Sequence, residues 1–444
     1  MELKDKNVLV IGLARTGMAC ARFLVGQGAR VSVTDRRPDA ALKDELKSLA
    51  GLPIRYFLGA EEYRWLDAVD CVIPSPGVPG DNALLREAAA RRIPVLSEIE
   101  LAYRFFRAPL VAVTGTNGKS TTTTLIGEMV KAGGRKAFVG GNLGAPFIGA
   151  LSDEWDWGVL EISSFQLEWI ERFRPRVAVL LNVTEDHLDR YPTFDDYRRA
   201  KEKIFTAQTE GDFAVLNRED PWVAALGSKV RARVVSFGLA EVSNGVYAAA
   251  DRIVWRDGAR EESFPLAGVK IHGVHNVENM MAAVAAAKLV GIDHEPIQQS
   301  LEDFPGLEHR VEFVREKDGV SYYNDSKGTN VGAVVKSLAG FAAPVILIAG
   351  GVDKGGDYKP LEEGIKRIVR RLVLFGAAKN VIGRALGHLT ETVMVENLTE
   401  AVRDAAVAAR AGDVVLLSPA CSSFDQFRNY AERGTLFKRL VQGL

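Results

Sequence analysis

Residues 111–130, VAVTGTNGKSTTTTLIGEMV, place a β-branched run, a glycine turn and a helical pattern in the order that cradles a phosphate. Gly115 and Gly118 let backbone N–H groups converge on an anion with no Cβ in the way. Thr116 and Asn117 complete the turn, and the helix that opens at Lys119, Ser120 and Thr121 directs its positive end toward it. Lys119 can then reach the β and γ oxygens of a nucleotide, and Ser120 can ligate Mg²⁺. The full GxxxxGKS pattern wants glycine where this chain has Val113, so the match is partial.

More chemistry-bearing residues follow. Glu161 in LEISSFQLE (160–168) and His187 in LNVTEDHLDRY (181–191) each sit just past a predicted strand. Ligands of a parallel sheet gather at that edge, and a carboxylate with an imidazole there can hold a second divalent ion. For His187 a surface turn stays open as the plainer reading. Lys201 lies 14 residues further on, in a helical segment, and by sequence physics alone is an exposed helix lysine. Asn276 and Asn279, in GVHNVENMMAAVAAAKLVG (273–291), share one face near a helix start. Their amides can read an adenine edge or cap the helix.

Arg310 heads a strand-like run in LEHRVEF (307–313), and YYNDSKGTNVGAV (322–334) offers Asp325, Ser326, Lys327, Thr329 and Asn330 in a loop. AGGVDKGGDY (349–358) carries Lys354, and LSPACSSFDQFRNYAERG (417–434) carries Ser423, Phe424 and Tyr430. Basic, hydroxyl-rich strand ends suit a small anion such as a dicarboxylate, although each alone is as readily a solvated loop. Near the N-terminus, VIGLARTG (10–17) and VSVTDRR (31–37), ending at Asp35, imitate a dinucleotide fingerprint with Ala14 at its middle glycine. That degenerate turn suits a phosphate or ribose better than NAD.

Elements of a definite kind must position these groups. Short apolar runs, NVLVIG (7–12), PLVAVTG (109–115), PRVAVLLNVT (175–184), PVILIAGG (344–351) and DVVLLSP (413–419), are bounded by Gly or Pro and suit strands buried on both faces. Helical patterns lie between them; in LTEAVRDAAVAARAG (398–412), Val402, Ala405, Ala406 and Ala409 share a face, with Thr399 placed to cap and Gly412 to stop it. This alternation predicts doubly wound α/β architecture. The stretch 234–258 adds alternation and hairpin signals. Boundaries are expected near 91–105 and 302–313.

With 444 residues the chain exceeds what one core organises, so two or three domains are expected. Fifty-six basic residues against 57 acidic ones leave a net charge of -1, with no global basic excess pointing to nucleic acid. Cys20, Cys71 and Cys421 are far apart and match no zinc spacing, as in a reducing compartment. The N-terminus does not read as a signal peptide and no apolar run reaches membrane-spanning length, so the expected location is cytoplasmic, without membrane insertion.

Taken together, VTGTNGKSTTT, GGNLGAPF, EISSFQLE, NVTEDHLDRY, HNVENMMAA, GLEHRVE, YNDSKGTN and LLSPACSSFDQF resemble the Mur ligases, in order and over essentially the whole chain. The resemblance implies three domains: a Rossmann-like UDP-substrate domain at 1–97, a central P-loop-type ATPase domain at 98–306, and a Rossmann-like amino-acid domain at 307–444. It implies an ATP-dependent amide ligase of peptidoglycan precursor synthesis that works as a monomer with two Mg²⁺ ions. The first- and last-domain motifs imply UDP-N-acetylmuramoyl-L-alanine and D-glutamate as the partners joined. By resemblance, Gly115 to Thr121 with Asn276, Asn279, Arg310 and Asp325 bind ATP. Ser120, Glu161, His187 and Lys201, the last as a carbamate, hold metal. Arg15, Thr16, Asp35, Arg37, Ser75, Gly77 and Asn142 meet the UDP-sugar, and Thr329, Lys354, Ser423 and Phe424 meet D-glutamate. Lys119, Lys201, His187 and Arg310 are the implied catalytic set.

The implied chemistry is coherent. A carboxylate acylates an amine poorly because oxide does not leave, whereas the acyl phosphate made with ATP releases phosphate. Both reacting oxygens are anionic, so positive charge must gather around them. Among rivals, folylpolyglutamate synthase shares a GTNGKGS-like loop, but GLARTG and SPGVP at the N-terminus argue against it. A regulatory GTPase or kinase should carry a base-reading NKxD-type element or a kinase lid, and neither is found.

Overall fold

The computed structural model describes residues 1–271 and 273–444. The first sheet is parallel, with β1 (Asn7–Ile11), β2 (Arg30–Asp35), β3 (Ile54–Leu58) and β4 (Cys71–Pro74) in the order 3-2-1-4. Chain direction through the sheet reverses between β1 and β4, and such a switch point opens a crevice at the C-terminal strand ends. The turn after β1 uses its glycines: Gly12 has φ +89, and a Cβ on Gly17 would stand 1.9 Å from the Gly12 carbonyl oxygen. The helix Arg15–Gly26 can pack against the turn only because that Cβ is missing.

The central sheet has nine strands. Its parallel part holds β5 (Leu110–Thr114), β6 (Ala137–Gly141), β7 (Trp157–Glu161), β8 (Val177–Leu180), β9 (Phe213–Asn217), β10 (Arg233–Gly238) and β11 (Gly245–Ala249). Antiparallel β12 (Arg252–Asp257) and β13 (Arg260–Pro265) extend it to the order 13-12-11-10-9-8-5-7-6. The alternation in 234–258 therefore yields one hairpin, β11 to β12, while β10 and β11 run parallel. Strand β5 is buried on both faces: Val111 and Val113 pack with Leu125 and Met281, whereas Leu110 and Ala112 join a core shared with the first sheet. Val113 is thus a fully buried strand residue, and the chain bends only at Gly115, φ +148. The missing P-loop glycine lies in a strand that would gain nothing from it.

The third sheet runs 14-15-19-16-17-18, with β14 (Glu312–Lys317) antiparallel to β15 (Val320–Asn324). Strands β16 (Val345–Gly350), β17 (Val369–Phe375), β18 (Glu391–Met394) and β19 (Val414–Leu417) complete it in parallel. The last helix before β19 corrects one expectation. It runs Leu398–Ala408 with Asn397, not Thr399, accepting the Glu400 N–H as its cap, and it ends four residues short of Gly412. Its buried face is Leu398, Ala401, Val402 and Ala405; Ala406 and Ala409 are only partly covered.

Candidate active site

The phosphate loop is held from the neighbouring strand. Asn182, just past β8, accepts the Thr116 N–H on its carbonyl at 2.9 Å and the Asn117 N–H on its side chain at 2.8 Å. Its amide returns a bond to the Asn117 carbonyl at 3.1 Å. Gly118, φ +87, cannot be replaced without collision: a Cβ would lie 2.1 Å from Asn279 Oδ1. Asn279 also donates to Asn276 Oδ1 at 3.3 Å. Both asparagines lie within the helix Val274–Leu289, whose N-cap is Gly273. They line a small pocket of about 80 Å³ with Asn117, Thr121, Arg310 and Asp325.

Lys119 Nζ donates to the Gly115 and Thr116 carbonyls at 2.9 and 2.8 Å. Lys201 Nζ donates to the same Gly115 oxygen at 2.9 Å, so two amines converge on one carbonyl. The expectation of an exposed helix lysine is overturned: Lys201 is 1% exposed, with its amine 4.5 Å from the centre of the Tyr197 ring. Burial, then the charge of Lys119, push the Lys201 amine well below the ordinary lysine range. The helix Phe194–Glu202 turns Tyr197, Ala200 and Lys201 inward, and Tyr197 shares a 3.1 Å hydrogen bond with the Thr116 hydroxyl.

Glu161 ends β7 beside this loop and is 2% exposed. Burial pushes its carboxyl up, but Lys119, with neighbouring donors, outweighs it and holds the group ionised below the usual range. Oε1 accepts from Asn142, while Oε2 has no hydrogen-bond partner among the described residues. An ionised, buried oxygen without a partner fits a divalent cation. No group of three or more His, Cys, Asp or Glu side chains able to hold a metal exists among the described residues. The Ser120 hydroxyl accepts from Arg310 at 2.8 Å.

His187 has φ +57 and its ring packs edge-on to Phe165, so it is no free surface turn. Burial lowers it to about 4, leaving a neutral imidazole near neutral pH. The adjacent Asp186, which sequence reading passed over, ties the central sheet to the third: it accepts from Lys354 at 3.1 Å and from Asn330 at 3.0 Å. Its place beside a strand-end histidine was the available signal. Thr329, Asn330, Lys354 and Asp186 border a cavity of about 340 Å³ with Tyr358 and Val335.

Two residues expected there are elsewhere. Ser423 is buried outside that lining, and Phe424 is 73% exposed. Asp325 borders the small pocket beside the phosphate loop, but its Oδ2 already accepts from Ser337 at 2.8 Å and Ser418 at 2.6 Å. Burial raises it to about 6.

A third cavity, about 500 Å³, opens at the β1–β4 switch point and is lined by Arg15, Thr16, Asp35, Ser75, Gly77 and Asn142. Arg37 stands behind the lining and fixes Asp35, Nη2 to Oδ2 at 3.0 Å, while Asp35 accepts the Leu13 N–H at 2.8 Å. Sequence reading missed Arg36, Glu61 and Asn82, a connected set on the opposite wall: Arg36 and Asn82 both donate to Glu61 Oε1, at 3.0 and 2.8 Å. Asn142 lines this cavity and donates to Glu161 Oε1, the carboxylate at the end of β7.

Comparisons with known proteins agree with this layout. Three family models match in order: Mur ligase MurD-like, N-terminal domain at 6–97, Mur ligase middle domain at 113–287, and Mur ligase, glutamate ligase domain at 309–421. A UDP-N-acetylmuramoylalanine--D-glutamate ligase of Geotalea uraniireducens is 53% identical over 100% of this chain and 99% of its own. Its counterpart in Geobacter metallireducens is 52% identical over the same shares. Among solved structures, a UDP-N-acetylmuramate-alanine ligase from Thermotoga maritima aligns over 99% of both chains with a TM-score of 0.61 and 21% identity. A pseudomurein peptide ligase from Methanothermus fervidus aligns over 99% of this chain and all of its own, with a TM-score of 0.64 and 18% identity. Three sheets, three family models in order and full-length identity above one half have a single explanation: the chain belongs to the Mur ligase family.

Proposed function

We propose that this chain joins D-glutamate to UDP-N-acetylmuramoyl-L-alanine, using ATP to activate the acid as an acyl phosphate. The carrying observation is the likeness, over its whole length, to ligases named for that reaction. In this reading residues 1–97 hold the UDP-substrate, 98–306 hold ATP and 307–444 hold the amino acid, and the chain acts as a monomer.

Backbone N–H groups of the loop and the start of the helix Lys119–Ala132 take the nucleotide phosphates. Lys119 and Arg310 set positive charge where two anionic oxygens must approach. Glu161, Ser120, His187 and Lys201 would hold two Mg²⁺ ions, which when bound neutralise phosphoryl charge. The depressed basicity of Lys201 supports its carbamylation, since only a neutral amine takes up CO₂ and only the resulting carbamate is a cation ligand. Lys354 and Thr329 would receive the carboxylates of D-glutamate, with Asp186 yielding Lys354 to the incoming anion. The ammonium of D-glutamate must lose a proton before its nitrogen attacks, and a water bound beside the metal would take it.

The test is phosphate release from ATP with UDP-N-acetylmuramoyl-L-alanine and, in turn, D-glutamate, L-glutamate, L-lysine or meso-diaminopimelate. Release that requires D-glutamate is the expected result. Release indifferent to the amino acid would exclude it.

A further inference from the structure

The rear of the central sheet carries a cluster that the proposed reaction leaves unused. At the N-terminal ends of β5, β8 and β9, opposite the catalytic edge, a cavity of about 520 Å³ is lined by Arg104, Arg107, Arg172, Arg174 and Arg176. Asp212 is the one carboxylate on its wall among the described residues.

The array is fixed by buried groups. Phe173 and Pro175 are buried, so the alternate residues Arg172, Arg174 and Arg176 are all exposed. Glu100, wholly buried, accepts the N–H groups of Glu171, Arg172 and Phe173 on Oε2 at 3.0, 2.9 and 2.8 Å. Its Oε1 accepts from Arg104 at 2.8 Å. Asp212, with 3% side-chain exposure, accepts from Arg174 at 2.7 Å and lies 3.7 Å from Arg176. Arg104 also pairs with Glu171 at 2.7 Å. Five guanidinium groups therefore meet three carboxylates, Glu100, Glu171 and Asp212, and two positive charges remain. Arg107 and Arg172 have no ion pair among the described residues.

We propose that this rear cavity binds a soluble oligophosphate, an anion carrying two or more phosphoryl groups. Guanidinium forks match phosphoryl oxygens bidentately, and two uncompensated forks lining one cavity suit two linked phosphoryl groups better than one carboxylate. The chain as a whole has a net charge of -1, so the surplus is local and marks a particular place.

The probe is inorganic pyrophosphate, followed by calorimetry on the full chain in EDTA. Lys119→Ala first weakens the phosphate loop as a competing site. That variant should take up one equivalent, and adding Arg107→Ala and Arg172→Ala should weaken uptake by about tenfold or more. Replacing both arginines by lysine, which keeps the charge and removes the fork, should weaken it as well. The Arg107→Ala/Arg172→Ala pair in otherwise unaltered protein should retain ATP-driven turnover, since neither side chain reaches the catalytic edge. Unchanged affinity in the triple variant would overturn the proposal. So would succinate binding as tightly as pyrophosphate, or binding to phosphatidylglycerol vesicles without uptake of pyrophosphate.

Discussion

Single atoms decide much of this site. Gly118→Ala forces a methyl group to 2.1 Å from Asn279 Oδ1 in a left-handed conformation, so the loop must shift. A loss of about 1–3 kcal/mol in stability and a clear rise in the KM for ATP are expected, measured by thermal melts and steady-state kinetics. Lys119→Ala should keep the fold and lose about 10²–10³-fold in kcat, as removal of a transition-state charge does. Glu98 gives a pH signature away from the chemistry. It is buried, Oε2 lacks a partner among the described residues, and burial raises its carboxyl to about 7. The folded state therefore holds that proton more tightly than the unfolded chain. Its neutral form is compatible with the fold at low pH, and stability is lost as pH rises through about 7. Glu98→Gln should melt higher than the parent at pH 8, by on the order of 1–3 kcal/mol, with the gap closing toward pH 4.5.

Strands and loops show what could be read from sequence and what could not. Apolar runs bounded by glycine gave the parallel sheets, because burial on both faces leaves a contiguous signature; Val111, Ala112 and Val113 are fully buried. The phosphate loop was legible because its function is written in backbone freedom, and Gly115 and Gly118 do adopt positive φ. The cap at Asn397 was misread as Thr399, although Glu400, three residues on and hydrogen-bonded to it, is the local signal that picks Asn397. The burial of Lys201 was invisible: the residue is polar in a strongly polar helix, and the face it turns inward is set by Tyr197 and the loop 86 residues upstream. Asn182 was equally hidden, one amide at a strand end, yet it holds both sides of the phosphate loop. Asn182→Ala leaves the Asn117 N–H without its partner and should cost about 1–3 kcal/mol, with loop protection from hydrogen exchange falling before the core's.

Across the whole molecule the three sheets are not equally joined. One continuous core spans the first sheet and a face of the second, from Leu3 and Val8 to Leu110 and Leu160, whereas the third sheet keeps two cores of its own. The third sheet meets the second through polar contacts: Lys354 to Asp186 at 3.1 Å, Lys336 to Glu278 at 3.2 Å and Arg310 to Ser120 at 2.8 Å. A few polar pairs join the third sheet where a continuous apolar core joins the first two, so motion should concentrate at that seam. Asp186→Ala with Lys336→Ala should enlarge the radius of gyration in small-angle scattering. ATP analogue plus both substrates should restore the compact value in the parent, and an identical radius in every state would refute a mobile third domain.

The segment joining those two sheets has an unusual backbone. His309 and Val311 sit at φ +64 and +45 on either side of Arg310, and a β-branched residue there is strained. The arginine that faces Ser120 is therefore built into the pivot itself. A swing of the third sheet at this segment would carry the guanidinium away from Ser120. ATP hydrolysis in the absence of an acceptor should therefore be slow, and a fast acceptor-independent release of phosphate would refute the coupling.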